Sequence, residues 1–149
     1  MRHAIHTEID IDAAPEVVWS VLTDLDGYAE WNPFMTESSG TVAVGERLTN
    51  RMHPPGGRAI TFKPTVTAVD HGRVFEWLGR LWVNGLFDGR HRFELTPIAG
   101  GGTHLDHSES FSGVLVRVLR SSLDTQTREG FEAMNAALKA RAEQVATCA

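Results

Sequence analysis

Two histidines and a glutamate in neighbouring segments of the C-terminal half are the side chains best suited to chemistry. His91 lies in residues 86–97, where apolar and polar residues alternate, and His107 and Glu109 lie in residues 103–111, which alternate in the same way. The short, glycine-rich connection between these segments predicts an antiparallel hairpin. Because side chains two residues apart share one face of a strand, all three groups can meet on one face of this hairpin.

The aromatic residues of the hairpin predict its register. Pairing Phe87 with Phe111 puts the large apolar side chains on one face, which we take to be the buried inner face of a sheet. In that register the two histidines lie opposite each other, and Glu109 lies opposite Gly89. The missing side chain of the glycine leaves room for a ligand.

Three interpretations of the two histidines and the glutamate remain open. Neutral histidines and a carboxylate can act as acid and base, as in the cyclisation or dehydration of a polyketide. Two histidines and one carboxylate are also a ligand set that metal ions accept. The third interpretation, which we favour, is a polar network that satisfies its own hydrogen bonds or orients a ligand. We expect no metal ion or other cofactor, and the candidate catalytic residues are His91, His107 and Glu109.

Composition and charge narrow the class of protein. The chain has 149 residues, of which 42% are hydrophobic, and a net charge of −5 with the two signs interspersed. This length fits one domain over residues 1–149, and without a basic patch in the sequence nucleic-acid binding is not expected. Cys148 is the single cysteine, so a disulfide within the chain is impossible, which fits a reducing compartment.

The sequence predicts neither a membrane span nor a secretion signal. No apolar run reaches the ~20 residues that a bilayer requires, and the N-terminal residues alternate instead of forming an apolar signal core. We therefore expect a cytoplasmic protein that is a monomer or a homodimer.

The pattern along the chain predicts a strand, two short helices, a run of strands and a long helix. Residues 3–12 alternate as a strand with one wet face, residues 15–24 have helical spacing, and residues 28–31 make one more turn. Residues 114–145 carry an apolar stripe at helical spacing, with a break near Ser121–Ser122. The strands between these helices are predicted at 46–53, 58–69, 73–83, 86–97 and 103–111.

These elements predict an α+β fold. Tight loops between consecutive strands imply an antiparallel sheet, and a sheet of about seven strands curves because strand twist accumulates. The long amphipathic helix is the element large enough to cover the apolar face of that sheet. A curved sheet around one helix leaves a pocket at their interface.

Several stretches resemble the START/Bet v 1-like (SRPBCC) superfamily, and more closely its polyketide cyclase/dehydrase-like branch. They are IDIDAAPEVVW (9–19), LTD (22–24), YAEWNPF (28–34), GLFDGRHRF (85–93) and GFEAMN (130–135), and the resemblance covers nearly the whole chain. It implies a helix-grip fold, in which a curved antiparallel sheet wraps a long C-terminal helix around a deep cavity. Members include lipid and hormone carriers, aromatase/cyclases and chaperone activators. They share no catalytic motif, so the resemblance assigns no catalytic residue.

The predicted ligand-binding residues combine the inner face of the sheet with one loop and the long helix. The alternative for the aromatic side chains is that they fill the core, and the alternative for Asn32 is that it caps a turn. Asn135 lies near the apolar stripe of the helix, where a buried amide needs a partner. The full set is Trp31, Asn32, Phe34, Phe62, Phe75, Trp77, Phe87, Gly89, Phe93, Phe111, Met134 and Asn135.

We expect the protein to bind a small hydrophobic or aromatic molecule in a cavity between the sheet and the C-terminal helix. The first alternative is a cofactor-independent cyclase, aromatase or dehydratase that uses the His and Glu groups as acid and base. The second is an interaction module of the chaperone-activator kind, which a collapsed cavity would favour. The expected partner is a small hydrophobic ligand.

Overall fold

The computed structural model of the chain describes residues 2–81 and 85–148. The predicted order of a strand, two short helices, a run of strands and a long helix is confirmed. Residues 82 and 83 of the predicted strand 73–83 lie outside the described residues. The strands are β1 (Arg2–Ile11), β2 (Met35–Ser39), β3 (Thr49–Met52), β4 (Ile60–Phe62), β5 (Thr65–Asp70), β6 (Val74–Leu81), β7 (Phe87–Pro97) and β8 (Thr103–Ser112). The helical elements are α1 (Pro15–Thr23), a 3-10 turn (Leu25–Gly27), α2 (Tyr28–Trp31), α3 (Val116–Ser122), a π-turn (Leu123–Thr127) and α4 (Arg128–Cys148).

The strands form two antiparallel sheets where the sequence predicts one sheet of about seven strands. The larger sheet has the order β1-β8-β7-β6-β5 and the smaller has the order β2-β3-β4. The predicted strand 58–69 is divided at Pro64, which has no amide hydrogen to give to a ladder, and its two halves join different sheets. The sheets remain linked by backbone hydrogen bonds, from the Leu48 amide to the Pro64 carbonyl and from the Val66 amide to the Glu46 carbonyl.

The long helix α4 covers the concave face of the larger sheet. Phe131, Met134 and Leu138, which the apolar stripe predicts to be buried, are each 0% exposed. The Phe131 ring stacks on the ring of His107, with 4.2 Å between the ring centroids. The predicted α+β helix-grip architecture is therefore confirmed. No helix within the described ranges is both long and apolar enough to cross a membrane.

Gly130, near the start of α4, permits a close approach. A Cβ atom there would lie 2.3 Å from Cδ1 of Phe34, a separation at which the Phe34 ring would have to move. Phe34 in turn packs edge-on against Phe131, with 5.6 Å between the centroids. The helix thus touches the loop before β2 at the glycine, and its next residue touches the sheet.

The C-terminal helical region breaks close to the predicted position. α3 ends at Ser122 and the π-turn separates it from α4. The Thr125 hydroxyl donates to the carbonyl of Ser121 at 3.0 Å, a side-chain bond of the type that bends helices. Leu123 and Thr127 of the π-turn lie beside the open end of the sheet.

The register predicted for the β7–β8 hairpin is wrong by two residues. His91 pairs with Glu109 and Phe93 pairs with His107, because the turn is centred on Gly100 and not on Ala99. The glycine conformation explains the difference, since Gly100 has a φ of 88° that other residues rarely adopt. A shift of two residues keeps every side chain on its predicted face, so the inner face carries the predicted residues with different partners.

The packing of α4 predicts a large cost for truncating its central aromatic residue. Phe131→Ala should lower the free energy of unfolding by about 3–5 kcal/mol, because it empties a fully buried site. Val118→Ala, which changes a side chain that is 76% exposed, should change it by about 0.5 kcal/mol or less. Urea denaturation of both variants measures the difference, and a cost below about 1 kcal/mol for Phe131→Ala would contradict the packing described here.

Candidate functional site

An open cleft lies between the inner faces of the two sheets and the π-turn. Its empty volume is about 480 Å³, part of which is open to solvent. Among the residues that line it, only Glu109 and Thr127 bring side-chain oxygen atoms; the rest of the wall is apolar or glycine. The lining residues are Met52, Ile60, Phe62, Trp77, Gly79, Phe87, Gly89, Glu109, Phe111, Leu123 and Thr127.

Strand alternation explains why these side chains meet. Each of β6, β7 and β8 gives the cleft two residues that are two positions apart, and such residues share one face of a strand. Gly79 of β6 and Gly89 of β7 are direct cross-strand partners. The paired glycines remove two side chains from the inner face, and the cleft lies over this position.

Gly89 makes room for the Glu109 side chain and not, as the pairing of Gly89 with Glu109 predicted, for a ligand. A Cβ atom at Gly89 would lie 2.2 Å from Oε2 of Glu109. In the observed register Gly89 pairs with Phe111, so Glu109 reaches it diagonally. The carboxyl group therefore lies over the β7 backbone at the inner end of the cleft.

Behind Glu109, a buried polar chain runs along the inner face of the larger sheet, from the cleft to the edge strand β1. We use this name for Glu109, His91, His107, Asn135 and Thr7. His91 Nε2 lies 2.6 Å from His107 Nε2, and His107 Nδ1 lies 2.6 Å from Asn135 Oδ1. Asn135 Nδ2 donates to Thr7 Oγ1 at 2.9 Å, so the chain joins β1, β7, β8 and α4.

The direction of each hydrogen bond follows from the Thr7 end. The Thr7 hydroxyl donates to the His107 carbonyl at 2.9 Å, so its oxygen accepts from Asn135 Nδ2. Asn135 Oδ1 then accepts from His107 Nδ1–H, which leaves His107 Nε2 as the acceptor for His91 Nε2–H when both rings are neutral. His91 Nδ1 consequently carries a lone pair, on the side that faces Glu109.

Burial keeps both histidine rings neutral. It lowers the pKa of His91 to about 3. The pKa of His107 lies well below its usual value, mainly because of burial and secondly because of repulsion by a charge on His91. The hydrogen bond to Asn135 raises the pKa of His107 but does not offset these two effects. Aromatic rings exclude water here: Trp77 stacks on His91 with 4.3 Å between the centroids, and Phe93 stacks on His107 with 4.4 Å between them.

Glu109 is also uncharged at neutral pH, because burial raises its pKa to about 8. Its Oε1 atom lies 3.3 Å from His91 Nδ1, but without hydrogen-bond geometry, so that Nδ1 has no hydrogen-bond partner in the part of the chain that the structure describes. A protonated carboxyl and a free acceptor nitrogen therefore lie side by side at the inner end of the cleft. This pair can donate to a ligand and accept from one.

The distance between the two histidines bears on the metal interpretation of the inner cluster. Ligand atoms held about 2.1 Å from a tetrahedral metal ion lie about 3.4 Å apart. The Nε2 atoms of His91 and His107 are 2.6 Å apart, which is a hydrogen-bond distance. The arrangement is that of two rings bonded to each other, so the geometry does not favour a metal ion between them.

The predicted site residues fall into three groups. Those that line the cleft are Phe62, Trp77, Phe87, Gly89, Glu109 and Phe111. Those that lie behind it in the buried polar chain are His91, His107 and Asn135. Those that the structure places elsewhere are Trp31, Asn32, Phe34, Phe75, Phe93 and Met134.

The residues of the third group cap a turn or pack in the core. Asn32 Oδ1 accepts from the amides of Phe34 and Met35 at 3.0 and 2.9 Å, which is the turn-capping alternative. Trp31 packs edge-on against Tyr28, and Phe75, Phe93 and Met134 are at most 2% exposed. Phe75, Phe93 and Met134 line a separate, more enclosed space of about 220 Å³ beside α4, whereas the cleft opens at the π-turn end.

The predicted set lacks six residues of the site, one of which is Gly79, the cross-strand partner of the predicted Gly89. Thr7 lies two residues from both Ile5 and Ile9 and therefore shares the inner face of β1 with them. The alternation of β1 could thus have predicted that Thr7 lies next to the helix. The π-turn brings Leu123 and Thr127 to the cleft, and the smaller sheet brings Met52 and Ile60. No local sequence pattern predicts the π-turn or the smaller sheet. Each of these four residues requires knowledge of how separate elements pack.

A curved antiparallel sheet that grips a C-terminal helix, with an apolar cleft that ends at buried polar groups, defines a protein of the helix-grip class. The family described as polyketide cyclase/dehydrase and lipid transport matches residues 2–143. The chain belongs to this family, which confirms the resemblance found in the sequence.

Solved structures similar to this chain confirm its fold. The Zhui aromatase/cyclase from Streptomyces sp. R1128 is 16% identical, with a TM-score of 0.79 over 97% of this chain and 95% of that one. A START superfamily protein from Mycobacterium smegmatis is 19% identical, with a TM-score of 0.78 over 96% and 99%. A norcoclaurine synthase from Thalictrum flavum is 14% identical, with a TM-score of 0.75 over 97% and 96%. No curated protein matches the sequence.

The raised pKa of Glu109 predicts a pH dependence of stability. The pKa rises from the ordinary 4.5 to about 8 on folding, so the unfolded chain releases this proton at lower pH and stability falls as the pH rises between those values. His91 and His107 have lowered pKa values in the folded chain but ordinary values near 6.5 when it unfolds, so they add a slope of opposite sign that is largely gone above about pH 7.5. Glu109 costs about 1.4 kcal/mol per pH unit near pH 6–7 and about half of that at pH 8.

Glu109→Gln should remove this slope. Urea unfolding of the wild type and the variant between about pH 6.5 and pH 8 measures it, and the change at the exposed Glu129, Glu129→Gln, is the control. Equal slopes in the wild type and Glu109→Gln would mean that Glu109 is ionised in the folded protein.

Proposed function

We propose that the chain binds a small, largely apolar or aromatic molecule in the cleft, with one polar group of the ligand at Glu109. The observation that carries the proposal is the uncharged carboxyl of Glu109 beside the unpartnered His91 Nδ1, at the inner end of an apolar cleft. Both the family and the fold are consistent with a cavity for small molecules.

The energetics of buried polar groups support this proposal. A buried polar atom without a hydrogen bond costs on the order of 1–3 kcal/mol in proteins. His91 Nδ1 is such an atom, and the Glu109 hydroxyl lies beside it without a well-formed bond. A ligand whose polar group bonds to this pair would recover that cost, and the apolar wall would bury the rest of the ligand.

The wall of the cleft favours a flat ligand. Trp77 and Phe62 pack against each other there, with 5.5 Å between their ring centroids, and the missing side chain of Gly79 lets the Phe62 ring lie close to β6. Offset stacking on aromatic rings adds about 0.5–1.5 kcal/mol beyond apolar burial. An aromatic ring system with a carbonyl or hydroxyl group at one end matches these features.

A second candidate function is acid–base catalysis on such a ligand. A carboxyl group that is protonated at neutral pH can donate a proton to a reacting oxygen, as general acids do, and His91 Nδ1 can accept a hydrogen bond from the substrate. The similar fold of an aromatase/cyclase is consistent with cyclisation or dehydration of a polyketide-like substrate. The reaction would need no cofactor. The interaction-module alternative gains no support, because the cleft is open.

The wild-type protein should bind apolar probes in the cleft, and a variant that fills the cleft should bind them more weakly. Titration with fluorescent apolar probes and aromatic polyketide-like compounds should give a Kd below about 100 μM. Gly79→Val should weaken binding about tenfold or more, because a Cβ atom there already lies 3.4 Å from the Phe62 ring and the methyl groups would enter the cleft. Ser110→Val, on the exposed outer face of β8, is the matched control.

Two outcomes would contradict the binding proposal. Either no probe binds with a Kd below about 100 μM, or Gly79→Val binds the probes as tightly as the Ser110→Val control does.

Glu109→Gln separates the carrier from the enzyme. Glutamine keeps the shape and a hydrogen-bond donor but cannot give up a proton. A carrier should bind the compounds within about threefold of wild type. An enzyme should keep that binding and lose product formation, followed by mass spectrometry of the same compounds. Product formation that survives in the variant would exclude Glu109 as the acid.

A further inference from the structure

On the outer face of the larger sheet, two histidines and two carboxylates converge from neighbouring strands. His6 and Glu8 are two residues apart on β1, and His104 and Asp106 are two residues apart on β8. Glu8 and Asp106 are direct cross-strand partners, so the two pairs approach each other from opposite ends. We call these four residues the outer cluster.

His6, Glu8 and Asp106 of the outer cluster bring ligand atoms within 4.8 Å of one another, and His104 joins this group through its distances to the two carboxylates. His6 Nε2 lies 2.8 Å from Asp106 Oδ1 and 3.9 Å from Glu8 Oε2. His104 Nε2 lies 3.6 Å from Asp106 Oδ1 and 3.7 Å from Glu8 Oε2. Atoms coordinated about 2.1 Å from a tetrahedral metal ion lie about 3.4 Å apart, and the four distances lie on both sides of this value. Small side-chain rotations would complete the geometry.

Asp10 orients one of these histidines in the way that metal ligands are oriented. Its Oδ1 atom lies 2.6 Å from His104 Nδ1. Because a carboxylate only accepts hydrogen bonds, the proton of the neutral ring lies on Nδ1 and the Nε2 lone pair faces the cluster. A carboxylate that holds a histidine by its second nitrogen is the common outer-shell arrangement at metal sites.

The charges of the cluster favour a cation. Glu8, Asp106 and Glu94 are in register on three adjacent strands, and like charges directly opposite each other destabilise a sheet. Glu94 has Arg92 at 3.3 Å. Within residues 2–81 and 85–148, Glu8 and Asp106 have no arginine or lysine at ion-pair distance, and only the two histidines approach them.

We propose that His6, Glu8, His104 and Asp106 form a binding site for a divalent transition-metal ion such as Zn²⁺. Imidazole nitrogens with carboxylate oxygens suit Zn²⁺, Ni²⁺ and Co²⁺, whereas Mg²⁺ prefers oxygen ligands alone. The site is on the face of the sheet opposite the cleft, so it does not depend on the proposed function. It would clamp β1 to β8.

Calorimetry with zinc chloride tests the proposal on chelator-treated protein that carries no histidine tag. One equivalent should bind with a Kd below about 10 μM, and Mg²⁺ should give no signal. His6→Ala and Asp106→Asn should each weaken binding about tenfold or more, and Asp10→Asn by about tenfold. His71→Ala should leave the Kd unchanged; this exposed histidine is hydrogen-bonded to the single carboxylate of Glu16 at 2.7 Å.

Two checks separate the metal site from its rivals. Cys148 is an exposed thiol, so the titration is repeated with Cys148→Ser, which should bind as the wild type does. Urea midpoints without metal identify variants that fail to fold, and Co²⁺ absorption spectra report the ligand geometry in those that do. The proposal is overturned if Zn²⁺ binds no tighter than about 1 mM, if binding is lost in Cys148→Ser, or if His6→Ala/His104→Ala keeps the wild-type affinity.

Discussion

The fold depends on keeping two histidine rings and a carboxyl group uncharged inside an aromatic shell. His91 and His107 are both 0% exposed, where an unpaired charge would cost several kcal/mol. Three of the four ring nitrogens have a hydrogen-bond partner among the described residues. Asn135 of α4 and Thr7 of β1 extend the bond that His91 of β7 and His107 of β8 make to each other. One set of hydrogen bonds therefore fixes the strand register and the rotation of the long helix together.

Two glycines allow this arrangement to form. Gly89 lets the Glu109 carboxyl lie across β7 and approach His91, and Gly130 lets α4 come close enough for Asn135 to reach the sheet. A Cβ atom at either position would lie within 2.3 Å of a neighbouring side-chain atom. The absence of a side chain at these glycines thus helps to decide where the polar groups meet, and the cleft lies beside Gly79 and Gly89, over which Phe62 and Glu109 pack.

Alternation and helical spacing were enough to predict the element order, the inner face and the buried stripe of α4. They predicted which side chains of β7 and β8 share a face even though the register was wrong, because a two-residue slip preserves parity. They did not predict that Pro64 divides a strand, nor that the turn centres on Gly100, since both depend on local backbone conformation. The pairing of Asn135 with His107 could not be predicted, because it depends on how far α4 rotates against the sheet.

The buried polar chain is closed at one end and open at the other. At the Thr7 end the hydroxyl donates its proton to the backbone carbonyl of His107, and a carbonyl oxygen can only accept. Each donor from Thr7 back to His91 Nε2 is therefore already used in a hydrogen bond. At the cleft end His91 Nδ1 has no committed donor among the described residues, and the Glu109 proton has no committed acceptor. A change in protonation or hydrogen bonding can therefore enter the network only through Glu109. Because of this asymmetry, the Glu109 carboxyl, which the fold keeps neutral, is the group that connects the buried hydrogen-bond network to a molecule in the cleft.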